Sequence, residues 1–148
     1  MNILEILNEA RSPITSGIIY LKGNKILGIK GKKDNAWDIP KGQVDKKEEK
    51  LKAARRETQE EIGIKPKKSN LKDLGSFPFM KNRKLHLYLF VGNNYPKTKN
   101  MEATNYVKHK GKKIPEKEKF QWIPVSQIKS KFKKSLISPL LKAIKDLK

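Results

Sequence analysis

The chain has 148 residues, the size of one domain on the usual prior of roughly 150 residues, which predicts a single domain over residues 1–148. Leu, Ile, Val and Phe supply 38 of the 148, about a quarter, whereas disordered chains fall below roughly 20% on that sum, so wholesale disorder is excluded. Lys plus Arg number 35 against 15 Asp plus Glu, a formal net charge of +20, and cysteine is absent, which excludes disulfides and thiolate metal sites.

Two histidines far apart, His86 and His109, argue against zinc. No apolar run approaches the ~20 residues of a membrane span, and Met1-Asn2-Ile3-Leu4-Glu5 lacks the cationic flank of a signal peptide. A soluble, cytoplasmic protein with no membrane partner is expected. The positive charge implies attraction to polyanions. Yet 31 of the 35 basic residues are Lys, and Ile outnumbers Val 15 to 4. An AT-rich coding sequence produces that skew by itself, and phosphate-reading sites favour the two-pronged Arg. Functional and compositional origins both stay open.

Ile3, Ile6 and Leu7 at i, i+3, i+4 predict a short helix within residues 1–10. Ile14–Tyr20 and Lys25–Ile29 are β-rich runs, and Lys22-Gly23-Asn24 between them reads as a hairpin turn. Trp37-Asp38-Ile39 is a brief strand stopped by Pro40. From Lys47 to Ile62 there is no Gly or Pro; Leu51, Ala54, Thr58 and Ile62 form a helical stripe, and Gly63 stands where a left-handed residue ends the helix. Leu71–Phe79 and Lys84–Val91 read as strands joined by Lys81-Asn82-Arg83. Residues 92–119 read as a long basic loop with strand fragments, of a length that is usually functional or disordered. Phe120–Ile123 is a last strand and Val125–Lys129 a short helix. A final helix is predicted from Pro139, with Ser138 as N-cap and Leu140, Leu141, Ile144 and Leu147 on one face. The mixture is an α+β pattern.

The chemistry concentrates in Lys41–Ile64. Glu57, Glu60 and Glu61 at i, i+3, i+4 put three carboxylates on one helical face, where they repel one another. In a chain of net charge +20 the cluster stands out, and a hard divalent cation is its physical remedy. Arg56 can hold one carboxylate in place, and Glu48 at the helix start is favoured by the dipole and can reach back toward a metal. Read alone, three clustered glutamates are a solvated acidic face.

The full pattern goes further. Gly42, five residues, Glu48, seven residues, then Arg56-Glu57-Thr58-Gln59-Glu60-Glu61-Ile62-Gly63-Ile64 resembles the Nudix box at its fixed positions, with Thr58 where an aliphatic is usual. Trp37-Asp38-Ile39-Pro40-Lys41-Gly42 is similar to the aromatic–Pro–Lys–Gly lead-in of many Nudix hydrolases. The resemblance implies an αβα sandwich with a mixed central sheet and a hydrolase of nucleoside diphosphates linked to another group, using Mg²⁺ or Mn²⁺. It makes Glu57, Glu60 and Glu61 metal ligands, joined by the main-chain carbonyl near Lys41, with Arg56 orienting Glu57 and Gly42 admitting the loop to the metals; Glu48 joins the metal set by its place at the helix start. Pro115-Glu116, six residues ahead of Trp122, resembles the spacing of RNA 5′-pyrophosphohydrolases and makes Glu116 a candidate base or further ligand, with Glu118 its rival.

Lys30, Lys32 and Lys41 flank the box as candidate phosphate holders. Tyr95 and Tyr106, in the basic loop, are candidate base-stacking residues. Trp37 and Tyr88 suit the core, His86 a local bond in its strand, and His109 solvent. The favoured substrate is anionic, a dinucleoside polyphosphate or an RNA 5′ end. Diphosphoinositol polyphosphates or nucleoside triphosphates are alternatives, as is a non-catalytic, basic RNA-binding module on the same scaffold. Retention of Glu48, Glu57, Glu60 and Glu61 argues for catalysis. Oligomeric state stays open at this point.

Overall fold

The computed structural model describes residues 13–109 and 111–147, so the helix expected within residues 1–10 lies outside the described residues. Strand β1 (Ile14–Ile19) is central in the first sheet. It pairs antiparallel with β4 (Lys41–Gln43) and parallel with β6 (Lys84–Phe90), and β5 (Leu71–Pro78) completes the sheet antiparallel to β6. A second, antiparallel sheet runs β2 (Leu21–Lys22), β3 (Lys25–Lys30), β9 (Lys119–Pro124). A separate hairpin, β7 (Tyr106–His109) with β8 (Lys112–Pro115), lies within the long basic stretch, which also holds a single 3-10 turn at Thr98–Asn100.

The expected turn at Lys22–Lys25 is present, but its arms are β2 and β3; the run before it leaves at Tyr20 for the first sheet. The cause is burial. Thr15 to Ile19 are all buried, so β1 lacks the alternation of a one-faced hairpin strand and takes partners on both edges.

Helix α1 (Lys50–Ile62) buries Ala54, Thr58 and Ile62 as the stripe predicts. Thr58 is tolerated there because its hydroxyl donates to the Ala54 carbonyl at 2.7 Å. Gly63, at φ 78°, ends the helix in the left-handed region, its N–H donating to the Gln59 carbonyl. After a short helix α2 (Ile128–Lys131), α3 (Lys134–Lys145) starts well before Pro139, which lies inside it. Leu136 and Leu140 are both fully buried, and burying each stabilises by about 1.5–3 kcal/mol, enough to offset proline's missing N–H. Leu141 is 36% exposed, so the buried face is Leu136, Leu140, Ala143 and Ile144.

Two cores sandwich the sheets. On the α1 side lie Ile18, Tyr20, Leu27, Tyr88 and Phe90; on the α3 side lie Ile19, Ile26, Leu85, Leu87 and Ile123. Neighbours in sequence point to opposite faces, as strand geometry requires. The architecture is α+β, an αβα sandwich with a mixed central sheet. No helix among the described residues is long and apolar enough to cross a membrane.

Candidate active site

The site forms where α1 passes the loop around β4. Lys41 donates its backbone N–H to Glu61 Oε1 at 2.9 Å, tying the lead-in to the helix. At the next residue a Cβ would overlap the Glu57 carboxyl group, so glycine is required for the loop to lie against that carboxylate.

Arg56 gathers the acids. Its Nε and Nη2 donate to the two oxygens of Glu48 at 2.9 and 3.0 Å, a two-pronged grip. Its Nη1 donates to Glu57 Oε1 at 2.8 Å and reaches Glu60 at 3.5 Å, and Asp45 lies 3.6 Å from Nη2. Asn105, carried in from the long basic stretch, donates to Glu60 Oε2 at 3.2 Å. That stretch is anchored across the end of α1, where Glu102 and Thr104 donate their N–H groups to the Ile62 and Glu60 carbonyls at 3.0 and 2.7 Å.

Burial dominates the protonation of Glu61 and Glu57. It pushes the Glu61 carboxyl up to about 8 against the favourable N–H of Lys41. It pushes Glu57 up to about 6, with Glu60 and Glu116 adding to the rise and Arg56 opposing it. Glu48 is held below the ordinary carboxylate range, chiefly by its bonds to Arg56.

The structure brings Glu48, Glu57 and Glu60 together on Arg56 and sets Glu61 on the other side, against Lys41. Among the described residues no three acidic or histidine side chains converge on one point, because the guanidinium lies between the carboxylates. The donor set is nevertheless all carboxylate oxygen and partly buried, which suits a hard divalent ion such as Mg²⁺ or Mn²⁺. Glu57, Glu60 and Glu61 would hold it, Glu57 and Glu60 exchanging part of their contact with Arg56.

Glu116 lies within electrostatic reach of Glu57. The Glu118 side chain instead lines a groove of about 500 Å³ with Trp37, Met101 and Phe120. Lys30 sits with its ammonium 5.0 Å above the Trp37 ring. Tyr95 is half-buried, edge-on to Phe90 and Trp122, whereas Tyr106 is exposed at the foot of the β7–β8 hairpin. His86 is buried and bonded by Ser76 Oγ and Asp73 Oδ1, each at 2.7 Å.

A second charge cluster went unsuspected in the sequence. Asp38 is 3% exposed. Its Oδ2 accepts hydrogen bonds from Lys133 Nζ at 3.1 Å and Lys41 Nζ at 3.2 Å, and Lys117 Nζ lies 3.6 Å away. Burial alone would raise the Asp38 carboxyl; the three ammoniums overcome it and hold the group below its ordinary range. Nothing local in the sequence marks Asp38 or Lys117 as partners in so lysine-rich a chain.

The NUDIX domain family matches residues 11–143. No curated protein matches the chain significantly. Among solved structures, a Caenorhabditis elegans Ap4A hydrolase binary complex shares 19% identity at a TM-score of 0.61, covering 90% of this chain and 96% of that one. An Escherichia coli dihydroneopterin triphosphate pyrophosphohydrolase shares 13% at a TM-score of 0.62, covering 89% and 94%. A MutT protein from Methanosarcina mazei shares 18% at 0.58, covering 95% and 98%. At such identities the likeness is one of fold, and the family rests on the domain match. With the box glutamates and Arg56 gathered beside the Gly42 loop, the chain belongs to the NUDIX family, as a hydrolase acting on phosphoanhydrides.

Proposed function

We propose that the protein is a cytoplasmic, single-domain pyrophosphohydrolase, dependent on Mg²⁺ or Mn²⁺, whose substrate is a dinucleoside polyphosphate or the 5′ end of an RNA. The observation that carries this reading is the grip of one guanidinium on Glu48, Glu57 and Glu60 beside a glycine that only a close-approaching loop needs. A phosphoanhydride repels nucleophiles with its own charge, and a bound divalent ion supplies charge neutralisation and an activated water. The chain's own groups do the rest. Arg56 fixes the direction of Glu57, and Asn105 that of Glu60. Glu116, within electrostatic reach of Glu57, is the candidate to orient the attacking water. Lys30 and Lys41 carry charge for the phosphates, Tyr95 and Tyr106 are aromatic candidates for the base, and the Trp37–Phe120 groove is a further surface suited to one. The choice of substrate draws support from the net charge of +20 and from the structural neighbour described as an Ap4A hydrolase.

The test is release of phosphate or nucleotide with Mg²⁺ or Mn²⁺ on a panel of dinucleoside tetraphosphate, 5′-triphosphorylated RNA, diphosphoinositol polyphosphate and nucleoside triphosphate. Highest kcat/KM on the first or second is expected. Inactivity on all four, with RNA bound tightly, would make the protein a binding module.

A further inference from the structure

We propose that Ser76, His86 and Asp73 form a second nucleophilic centre, separate from the carboxylate site, in which the Ser76 hydroxyl attacks the carbonyl carbon of a carboxylic ester. This centre does not depend on the pyrophosphohydrolase reading.

The imidazole of His86 lies between the other two side chains, with Nδ1 2.7 Å from Ser76 Oγ and Nε2 2.7 Å from Asp73 Oδ1. A carboxylate only accepts hydrogen bonds, so in the neutral ring Nε2 carries the proton and donates it to Asp73. Nδ1 is then the bare nitrogen, and the Ser76 hydroxyl donates to it. A nitrogen so placed can take the proton of an attacking hydroxyl, with the carboxylate holding the ring in that tautomer. Both partners of the ring are themselves fixed. Asp73 Oδ1 also accepts the Gly75 N–H at 2.8 Å, and the centroid of the Tyr88 ring lies 5.0 Å from that of the imidazole. His86 is buried whereas Ser76 is exposed, so the base is sheltered while the nucleophile faces solvent.

Strand β5 is irregular where the three residues meet. Residues 73 and 76 are three apart, and in a regular strand their side chains point to opposite faces. Between Asp73 and Gly75 the register shifts, so that Asp73 stands opposite Tyr88, Gly75 opposite Leu87 and Ser76 opposite His86. The extra residue, Leu74, returns Asp73 to the face that carries Ser76 and His86. Gly75 permits the bend at φ 93°, a conformation that costs glycine little. Bulges of this kind re-aim side chains and are over-represented next to active sites. The centre also stands apart from the carboxylates. In register His86 neighbours Ser16, and Ser16 neighbours Gly42, so Ser76 lies three strands from Gly42, roughly 14 Å at ordinary strand spacing.

The reaction balances as ester plus water to acid plus alcohol. Ser76 Oγ bonds to the acyl carbon while its proton passes to His86 Nδ1. The ester C–O bond then breaks, and the leaving alcohol takes that proton from the ring. Water attacks the acylated serine and gives a proton to Nδ1; Ser76 Oγ departs with it, and the carboxylic acid is released.

The deciding experiment treats the full chain in EDTA with an alkyl fluorophosphonate and locates the adduct by mass spectrometry. Ser76 Oγ displaces fluoride at phosphorus, and a single adduct on Ser76 is expected. Under the same conditions p-nitrophenyl butyrate should be turned over beyond the one-off acylation of lysines. Ser76→Ala should lose both the adduct and the turnover. His86→Gln removes the base and should slow labelling about a hundredfold. Should it fail to fold, Asp73→Asn serves instead, since that side chain is 59% exposed. Its amide can donate to Nε2 and shift the ring proton to Nδ1, for a loss of about tenfold or more. No adduct on Ser76, equal labelling of other serines such as Ser130, or Ser76 labelled at the wild-type rate in Asp73→Asn would overturn the centre. An adduct without ester turnover would overturn its hydrolytic half. Ser76-dependent turnover in a protein inactive on all four phosphoanhydrides would keep this centre and defeat the pyrophosphohydrolase reading instead.

Discussion

Two charge clusters flank the loop from Asp38 to Gln43, and they are built in opposite senses. On one side a single guanidinium faces four carboxylates, Glu48, Glu57, Glu60 and Asp45. On the other a single buried carboxylate faces three ammoniums. The first is short of positive charge and suits a cation; in the second the ammoniums hold the buried carboxylate ionised and also face Asp34 and Glu61. The cations also differ in kind. The planar fork of Arg serves several oxygens at once, so one of the four arginines in the chain suffices for the acids, whereas each Lys is a point charge and three must crowd one acceptor.

Removing a carboxylate from the first cluster should have the largest effect. Glu60→Gln should lower kcat by about a thousandfold or more, the equivalent of several kcal/mol of lost charge stabilisation. Its melting temperature should change little, since Glu60 is only partly buried. An active Glu60→Gln enzyme would remove that residue from the metal set. Gly42→Ala attacks the same cluster from the loop. Its methyl group must displace the Glu57 carboxylate, with an expected loss of about a hundredfold in kcat/KM and about 1–3 kcal/mol in stability. Unchanged kinetics there would mean that Glu57 acts from a different position.

Two smaller effects sharpen the picture. Glu116→Gln should lower turnover at saturating Mg²⁺ on the order of a hundredfold if it orients the water, whereas Glu118→Gln, in the aromatic groove, should leave kcat near wild type. The reverse result would transfer the role to Glu118. Arg56→Lys keeps the charge but loses the fork, and about a tenfold drop in kcat is expected. Were Lys to serve as well, Arg56 would be screening repulsion rather than aiming Glu57.

What was legible in the sequence follows from what is local. Glu57, Glu60 and Glu61 share a helical face by spacing alone, and Gly63 ends the helix where a left-handed residue was expected, at φ 78°. The Asp38 cluster was not legible, because Lys133 meets Asp38 across 95 positions of sequence and 31 lysines give no contrast by which to single out three. Long-range burial also misled the local rules. It drew β1 out of its expected hairpin, and it carried α3 back through Pro139, whose preference for a first turn gave way to the burial of Leu136. Asn105 was hidden for a related reason. It reaches Glu60 only because the stretch after Met101 packs across the end of α1, a contact no local pattern announces.

The smallest effect separates the two clusters by pH. In metal-free protein the Glu57 and Glu61 carboxyls stand at about 6 and about 8, above their ordinary range, so folding favours their protonated forms. Their contribution to stability is complete below the ordinary carboxylate value and is lost as pH rises through 6 and then 8. Asp38 is shifted the other way, so its contribution holds at neutral pH and is lost only on acidification through its lowered value. The melting temperature in EDTA should therefore decline gently from pH 5.5 to 8.5 as the acid cluster charges, while the lysine cluster stays intact. Glu61→Gln cannot ionise and should flatten the upper part of that decline, and excess Mg²⁺ should flatten it in the wild type if the ionised carboxylates bind the ion. Identical slopes for wild type and Glu61→Gln would show that the buried carboxylate is already charged when the protein folds. The acid cluster would then carry its full repulsion at every pH, held by Arg56 and the Lys41 N–H alone.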